Sequence, residues 1–203
     1  GGVVAWRLYM APTGSTALEL PDRPSIAVLP FANLSGDPTQ EYFSDGMTED
    51  LITGLSKVSG LFVIARNSIV PYKGKAVRPE QVSRELGVRY VLEGSVRKAG
   101  NRVRITAQLI DASSGYHLWA ERYDRELKDI FAVQDEVTQK IVRALAVKLT
   151  DREQGRLGRA PTGSLEAYDY VLRAWEQVRR TTPEDNAEAR RLFARALQLD
   201  PEY

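Results

Sequence analysis

The chain has 203 residues, 43% of them hydrophobic and 27% charged, a balance that allows a folded domain of ordinary size plus an appended element. A net charge of +1 provides no field for gathering nucleic acid or an anionic membrane, and no nucleic-acid contact is expected. With no cysteine, thiolate metal sites and disulfides are excluded; a single histidine, His117, argues against a histidine relay, and no metal or cofactor is expected.

The chain begins at Gly1 rather than Met, as a fragment or processed chain would. Residues 1–10 are apolar but too short to span a bilayer. They read either as the exit end of a transmembrane helix, with Trp6 and Tyr9 at the interface, or as a tail; residues 11–24 follow as a Pro/Gly/Ser/Thr-rich linker.

From residue 25 the pattern becomes that of a packed domain. Ser25 to Phe31 is a short apolar run suited to a buried strand. Asp37-Pro38 has the chemistry of a helix start. Phe43, Met47, Leu51, Leu55 and Val58 then recur at helical spacing up to Gly60, with Gly46 marking a kink or a short first helix. Asp45, Glu49 and Asp50 are expected near that helix's start, where acids favour the dipole.

Leu61 to Ala65 reads as a second strand, a loop contains Pro71 and Gly74, and Pro79 to Leu86 is a helix stopped by Gly87. Tyr90 to Lys98, a turn at Gly100, and the strict alternation of Arg102 to Ile110 predict a hairpin. Arg97, Lys98, Arg102 and Arg104 flank it as charges guarding a sheet edge. A third strand runs from His117 to Tyr123, with His117 and Trp119 on one face, and Glu126 to Thr150 is the longest helix. The order β-α-β-α-β-β-β-α predicts an α/β (α+β) domain with a mixed sheet over residues 25–150. Residues 151–163 read as a second linker, and residues 164–203 as an αα-hairpin in which Pro183 starts the second helix.

The segments Ser25 to Phe31, Asn33 to Asp37, Glu41 to Gly46, Val63 to Ser68, Tyr90 to Arg97 and Leu118 to Asp124 together resemble the TolB amino-terminal-like (FlgO-like) family. Asp129 to Asp135 is similar to the copy joined to class III adenylate or guanylate cyclases of α-proteobacteria. That resemblance implies a membrane-tethered parent, with this domain on the periplasmic side and tetratricopeptide repeats after it; Arg7 leans toward the cytoplasmic side. The tail resembles a tetratricopeptide unit through Ala174, Ala189, Phe193, Ala196 and Pro201, with a connection about three residues longer than usual.

No run carries a P-loop, a dinucleotide fingerprint or a zinc-protease pattern, so no catalytic residue is assigned. Arg66, Asn67 and Ser68, with Tyr72 and Lys73, are the candidate small-ligand residues, because loops after strands hold ligands in α/β sheets. Turn formation and capping explain the same residues. Tyr168, Leu172, Trp175 and Phe193 are the candidate partner-binding residues, since a truncated repeat exposes apolar helix faces. A protein partner or self-association is expected. Three functions remain open: a regulatory module, an envelope docking scaffold, and a small-molecule-binding domain.

Overall fold

The computed structural model describes residues 23–147, 149–150, 153 and 162–203. The expected membrane-helix end lies outside these, as does most of each linker.

The order of elements is β1 (Ser25–Val28), β2 (Ala32–Asn33), α1 (Glu41–Ser56), β3 (Phe62–Val63), α2 (Arg66–Ile69), α3 (Pro79–Leu86), β4 (Tyr90–Ala99), β5 (Arg102–Asp111), β6 (Tyr116–Glu126), α4 (Ile130–Ala144), α5 (Leu165–Val178) and α6 (Pro183–Leu199), with short 3-10 turns between some of them. The strands form one mixed sheet in the order β3-β1-β4-β5-β6, with β2 alongside β4. The expected fold class is the one observed.

β1 is parallel to both β3 and β4, and all four of its residues are buried. A strand covered on both faces has no polar face to show, which is why it reads as a continuous apolar run. β4, β5 and β6 form an antiparallel meander. Val103, Ile105, Ala107 and Leu109 are buried while Arg102 and Arg104 face solvent, so the strict alternation records one covered face. Gly100 turns the hairpin at φ +57°, where a side chain would be strained.

Several expectations need correction. The helix of residues 126–150 starts later, at Ile130, because β6 runs on to Glu126, which pairs with Arg102. It ends at Ala144, two residues before Ala146 takes φ +51°. A β-bulge at Leu109/Ile110 pairs His117 with Ile110 and Trp119 with Leu109, so His117 and Trp119 oppose consecutive residues and do not share a face. β4 and β5 are interior strands; the edge beside them is β6. Three of their four basic residues are tied down rather than guarding an edge. Arg97 donates to the Leu34 carbonyl at 3.1 Å, Lys98 lies 3.7 Å from Asp169, and Arg104 lies 2.5 Å from Asp124.

Gly46 marks neither a kink nor a boundary, since α1 runs unbroken past it. A Cβ there would stand 2.5 Å from Leu172 Cδ2, so the glycine lets α5 approach α1. A second close approach occurs at Gly94, where a Cβ would lie 2.3 Å from the Phe31 ring.

Helices α5 and α6 form the expected hairpin. Ser164 and Thr182 cap their N-termini through the amides of Ala167 and Asp185, and Pro183 occupies the first turn of α6. Trp175 meets Phe193 edge-on at 5.5 Å, beside the buried small residues Ala174, Ala189 and Ala196. The hairpin is docked on the α/β domain. Tyr168 is buried edge-on to Phe131 at 4.9 Å, and Tyr42 donates to Asp169 at 2.6 Å.

Candidate functional site

The connections from β1 leave in opposite directions. The chain passes through α1 to β3 on one side of β1, then through α2 and α3 to β4 on the other. Such a reversal opens a crevice at the carboxyl ends of the strands concerned. Here it is a cavity of about 350 Å³ walled by Pro30 after β1, Asp45 and Thr48 of α1, Arg66 and Asn67 of α2, and Arg179 at the end of α5. Thr48 holds the inner wall: its hydroxyl accepts from the Phe31 amide at 3.0 Å and donates to the Ser44 carbonyl at 2.9 Å.

An adjoining cavity of about 320 Å³ shares Arg66, Asn67 and Arg179 and is completed by Glu49, Ala65, Trp175 and Val178. Together they form a groove between the α/β domain and the hairpin. A third hollow of about 590 Å³, which shares Pro30 and Lys73 with the first, lies beside Phe31 and Gly94, under the segment from Tyr72 to Val77.

Charge in the groove is organised by the acids of α1. Glu49 Oε2 lies 3.3 Å from Arg66 Nε and 3.9 Å from Arg179 Nη1, so one carboxylate faces two guanidinium groups from opposite walls. Burial lowers the Arg179 pKa from its ordinary value, and the Arg66 charge beside it acts in the same direction. Lys73 lies 2.7 Å from Asp45 and 2.9 Å from Glu41. Burial opposes the Lys73 charge, but its hydrogen bonds to Asp45 and Glu41 outweigh that and hold its pKa above the usual lysine value.

The third of the expected acids of α1, Asp50, points into the joint between the domain and the hairpin. Gln134 donates to it at 2.8 Å and the Tyr168 hydroxyl also donates to it. Burial pushes the Asp50 carboxyl up to about 6 against the lowering effect of these hydrogen bonds. All three acids therefore lie past the first turn of a helix that starts at Glu41, and each ties another element to α1. The helix dipole does not account for them.

The structure places Arg66, Asn67 and Lys73 on the groove. They lie on a short helix and the turn after it, not on a strand-end loop. Ser68 is exposed and lines neither of the adjoining cavities, while Tyr72 lines the third hollow and donates to Glu85. Among the residues expected to meet a partner, Tyr168 and Leu172 are buried against this chain's own α1 and α4. Trp175 remains 44% exposed on the groove, with Phe193 behind it. Arg179 is the wall residue that sequence reading missed. A cation in the last turn of a helix has a sufficient local explanation, and nothing local signals a contact with Glu49.

Among the described residues no group of three or more His, Asp or Glu side chains is placed to hold a metal ion. No helix among them is long and apolar enough to cross a membrane.

Residues 22–143 match the family model described as the HilA/YgeH-like transcriptional regulator, second domain. The chain is 61% identical over 183 residues, 90% of its length, to a protein named putative adenylate cyclase 3 of Rhizobium meliloti (strain 1021). It spans about a third of that relative, 31% of the length. Among solved structures it is similar to TolB from Acinetobacter baumannii, with 20% identity and a TM-score of 0.48 over 66% of this chain and 31% of the other. It is also similar to lipoprotein GNA1162 from Neisseria meningitidis, with 23% identity and a TM-score of 0.45 over 59% of this chain and 99% of the other.

Proposed function

Because the chain belongs to the family of HilA/YgeH-like transcriptional-regulator second domains, we propose that it is a non-catalytic regulatory module of a larger bacterial signalling protein whose output lies elsewhere in that protein. The family carries the name of one kind of output, and the 61%-identical relative carries the name of another. A shared receiver joined to different effectors accounts for both names.

The observation that carries this reading is the shared carboxylate of Glu49. It holds Arg66 of the α/β domain and Arg179 of the hairpin across an open groove. Anything that binds between the two arginines acts on the seating of the hairpin, and a ligand can shift an equilibrium only through such differential contact. In this reading the parent is a membrane-tethered adenylate cyclase, the module lies on the periplasmic side of the inner membrane, and the hairpin is the first tetratricopeptide-like unit.

The test replaces residues 25–203 by a flexible linker in the full-length protein and follows cyclic AMP formation in membranes. A change of severalfold in basal or stimulated output is expected. Unchanged output under every growth condition tried overturns the reading.

A second reading, an envelope docking scaffold without signalling output, is favoured by β6. This edge strand of 11 residues exposes Tyr116 and Leu118. It predicts unchanged cyclic AMP in the same deletion, together with loss of the parent protein from a larger complex.

A further inference from the structure

Arg179 is three-quarters buried, yet among the described residues its acidic partner is Glu49 at 3.9 Å, an oxygen that Arg66 already approaches at 3.3 Å. A guanidinium has five donors and binds a carboxylate best in a bidentate fork. Two such forks facing one carboxylate leave guanidinium donors without a hydrogen-bond partner among the described residues. Asn67 adds an exposed amide that makes no hydrogen bond within the described structure and lines both cavities. Beyond the arginines the groove becomes apolar, with Ala65, Val178 and the exposed face of Trp175.

We infer that this groove binds a monoanionic organic carboxylate. Its carboxylate sits between Arg66 and Arg179, and its apolar or aromatic body lies on Trp175. The neighbouring acids limit the ligand to one negative charge. Arg66 and Arg179 share Glu49 while Lys73 faces both Asp45 and Glu41, so three cations meet three carboxylates, and the unused guanidinium donors rather than a surplus charge receive the ligand's carboxylate. A phosphate dianion or a dicarboxylate would place its second charge against that acidic pair. The depth suits a small ligand: the two cavities hold about 350 and 320 Å³, within the range of small-molecule sites. The tryptophan supplies a rigid apolar surface for a flat or branched body. This assignment rests on the module being a receiver and names what it receives.

The test uses this chain with 15N-labelled tryptophan side chains, the Trp175 indole resonance being identified with Trp175→Phe. The probes are 3-phenylpropionate, its neutral amide, succinate and inorganic phosphate. Two further probes are a tripeptide ending in phenylalanine with a free carboxylate and the same peptide amidated. The two monocarboxylates are expected to shift the indole resonance saturably, and the amides, succinate and phosphate at least tenfold more weakly. Tighter binding of the peptide acid assigns the source to a chain terminus, and tighter binding of phenylpropionate assigns it to a free acid.

Arg66→Gln and Arg179→Gln, each checked by its melting curve, are expected to raise the dissociation constant at least tenfold. Amides binding as well as acids, phosphate or succinate binding better, or no response to any acid overturns the inference. The acid-to-amide comparison needs no variant. Failure here with an effect of the deletion on cyclic AMP removes the ligand and keeps the module. Binding without any effect of the deletion does the reverse.

Discussion

Replacing Asp50 by Asn tests how the hairpin is held on the domain. Burial between α1, α4 and α5 carries the Asp50 carboxyl from 3.8 to about 6 in the folded chain. The neighbouring Glu49 charge pushes the same way, while the Tyr168 and Gln134 hydrogen bonds and Lys57 oppose it. Tyr203 also feels the Asp50 charge, and burial raises its own pKa to about 12. The folded state therefore binds the Asp50 proton more tightly than the unfolded state does. The protonated group contributes fully below about pH 4, and that contribution is lost as pH rises toward 6. Above pH 6 it leaves the folded chain about 3 kcal/mol less stable than a group of ordinary pKa would.

Asparagine keeps an oxygen to accept from Tyr168 and cannot ionise. Urea denaturation of both proteins between pH 4 and 7.5, followed by circular dichroism, isolates the effect, because other titrating groups cancel in the difference. The stability of the native protein relative to Asp50→Asn should fall by about 2.5 kcal/mol across that range, with nearly all of the fall before pH 7. Curves parallel to within about 0.5 kcal/mol would refute the assignment of a buried, protonatable carboxyl to this joint.

Two further outcomes follow from packing. Gly94→Ala should destabilise the chain by about 1–3 kcal/mol, because the new methyl group meets the ring of Phe31, which is 1% exposed and cannot turn away; Phe31→Leu in the same chain should recover part of the loss in urea titrations. In the hairpin, a double-mutant cycle on Trp175→Ala and Phe193→Ala should return a coupling of about 0.5–1.5 kcal/mol for the edge-on pair, and additive losses would show that the two rings do not support each other.

The fold was readable wherever a residue period ran long enough to be heard. The alternation from Arg102 to Ile110 and the helical stripe that begins at Phe43 each record one covered face, although α1 ends at Ser56, short of the expected Val58 and Gly60. Short or single-residue features carry no such period. The two-residue β2, the four-residue α2 and the bulge beside Leu118 were invisible for that reason, and the bulge turned Trp119 away from His117. Gly46 looked like a flaw in a helix because its cause, Leu172, lies more than a hundred residues away. The groove was half legible. Arg66, Asn67 and Lys73 follow a strand and could be suspected from that position. Arg179 reaches them only through the docking of the hairpin, which no local pattern encodes.

The position of β1 also bears on how the chain assembles as it is made. Strands β4, β5 and β6 are joined by tight turns and can pair as soon as they exist. β1 is synthesised first of all the strands, but Val28 reaches its partner Leu92 only after more than sixty further residues have emerged. Until then β1 has only the two-residue β3 to pair with, and the loop that must close to reach β4 is the long one around α1 and α3. β1, which lies between β3 and β4 in the finished sheet, thus has both edges paired only once β4 has emerged. A nascent chain stalled before β4 would present Ser25–Val28 to whatever chaperone or neighbouring chain is nearest.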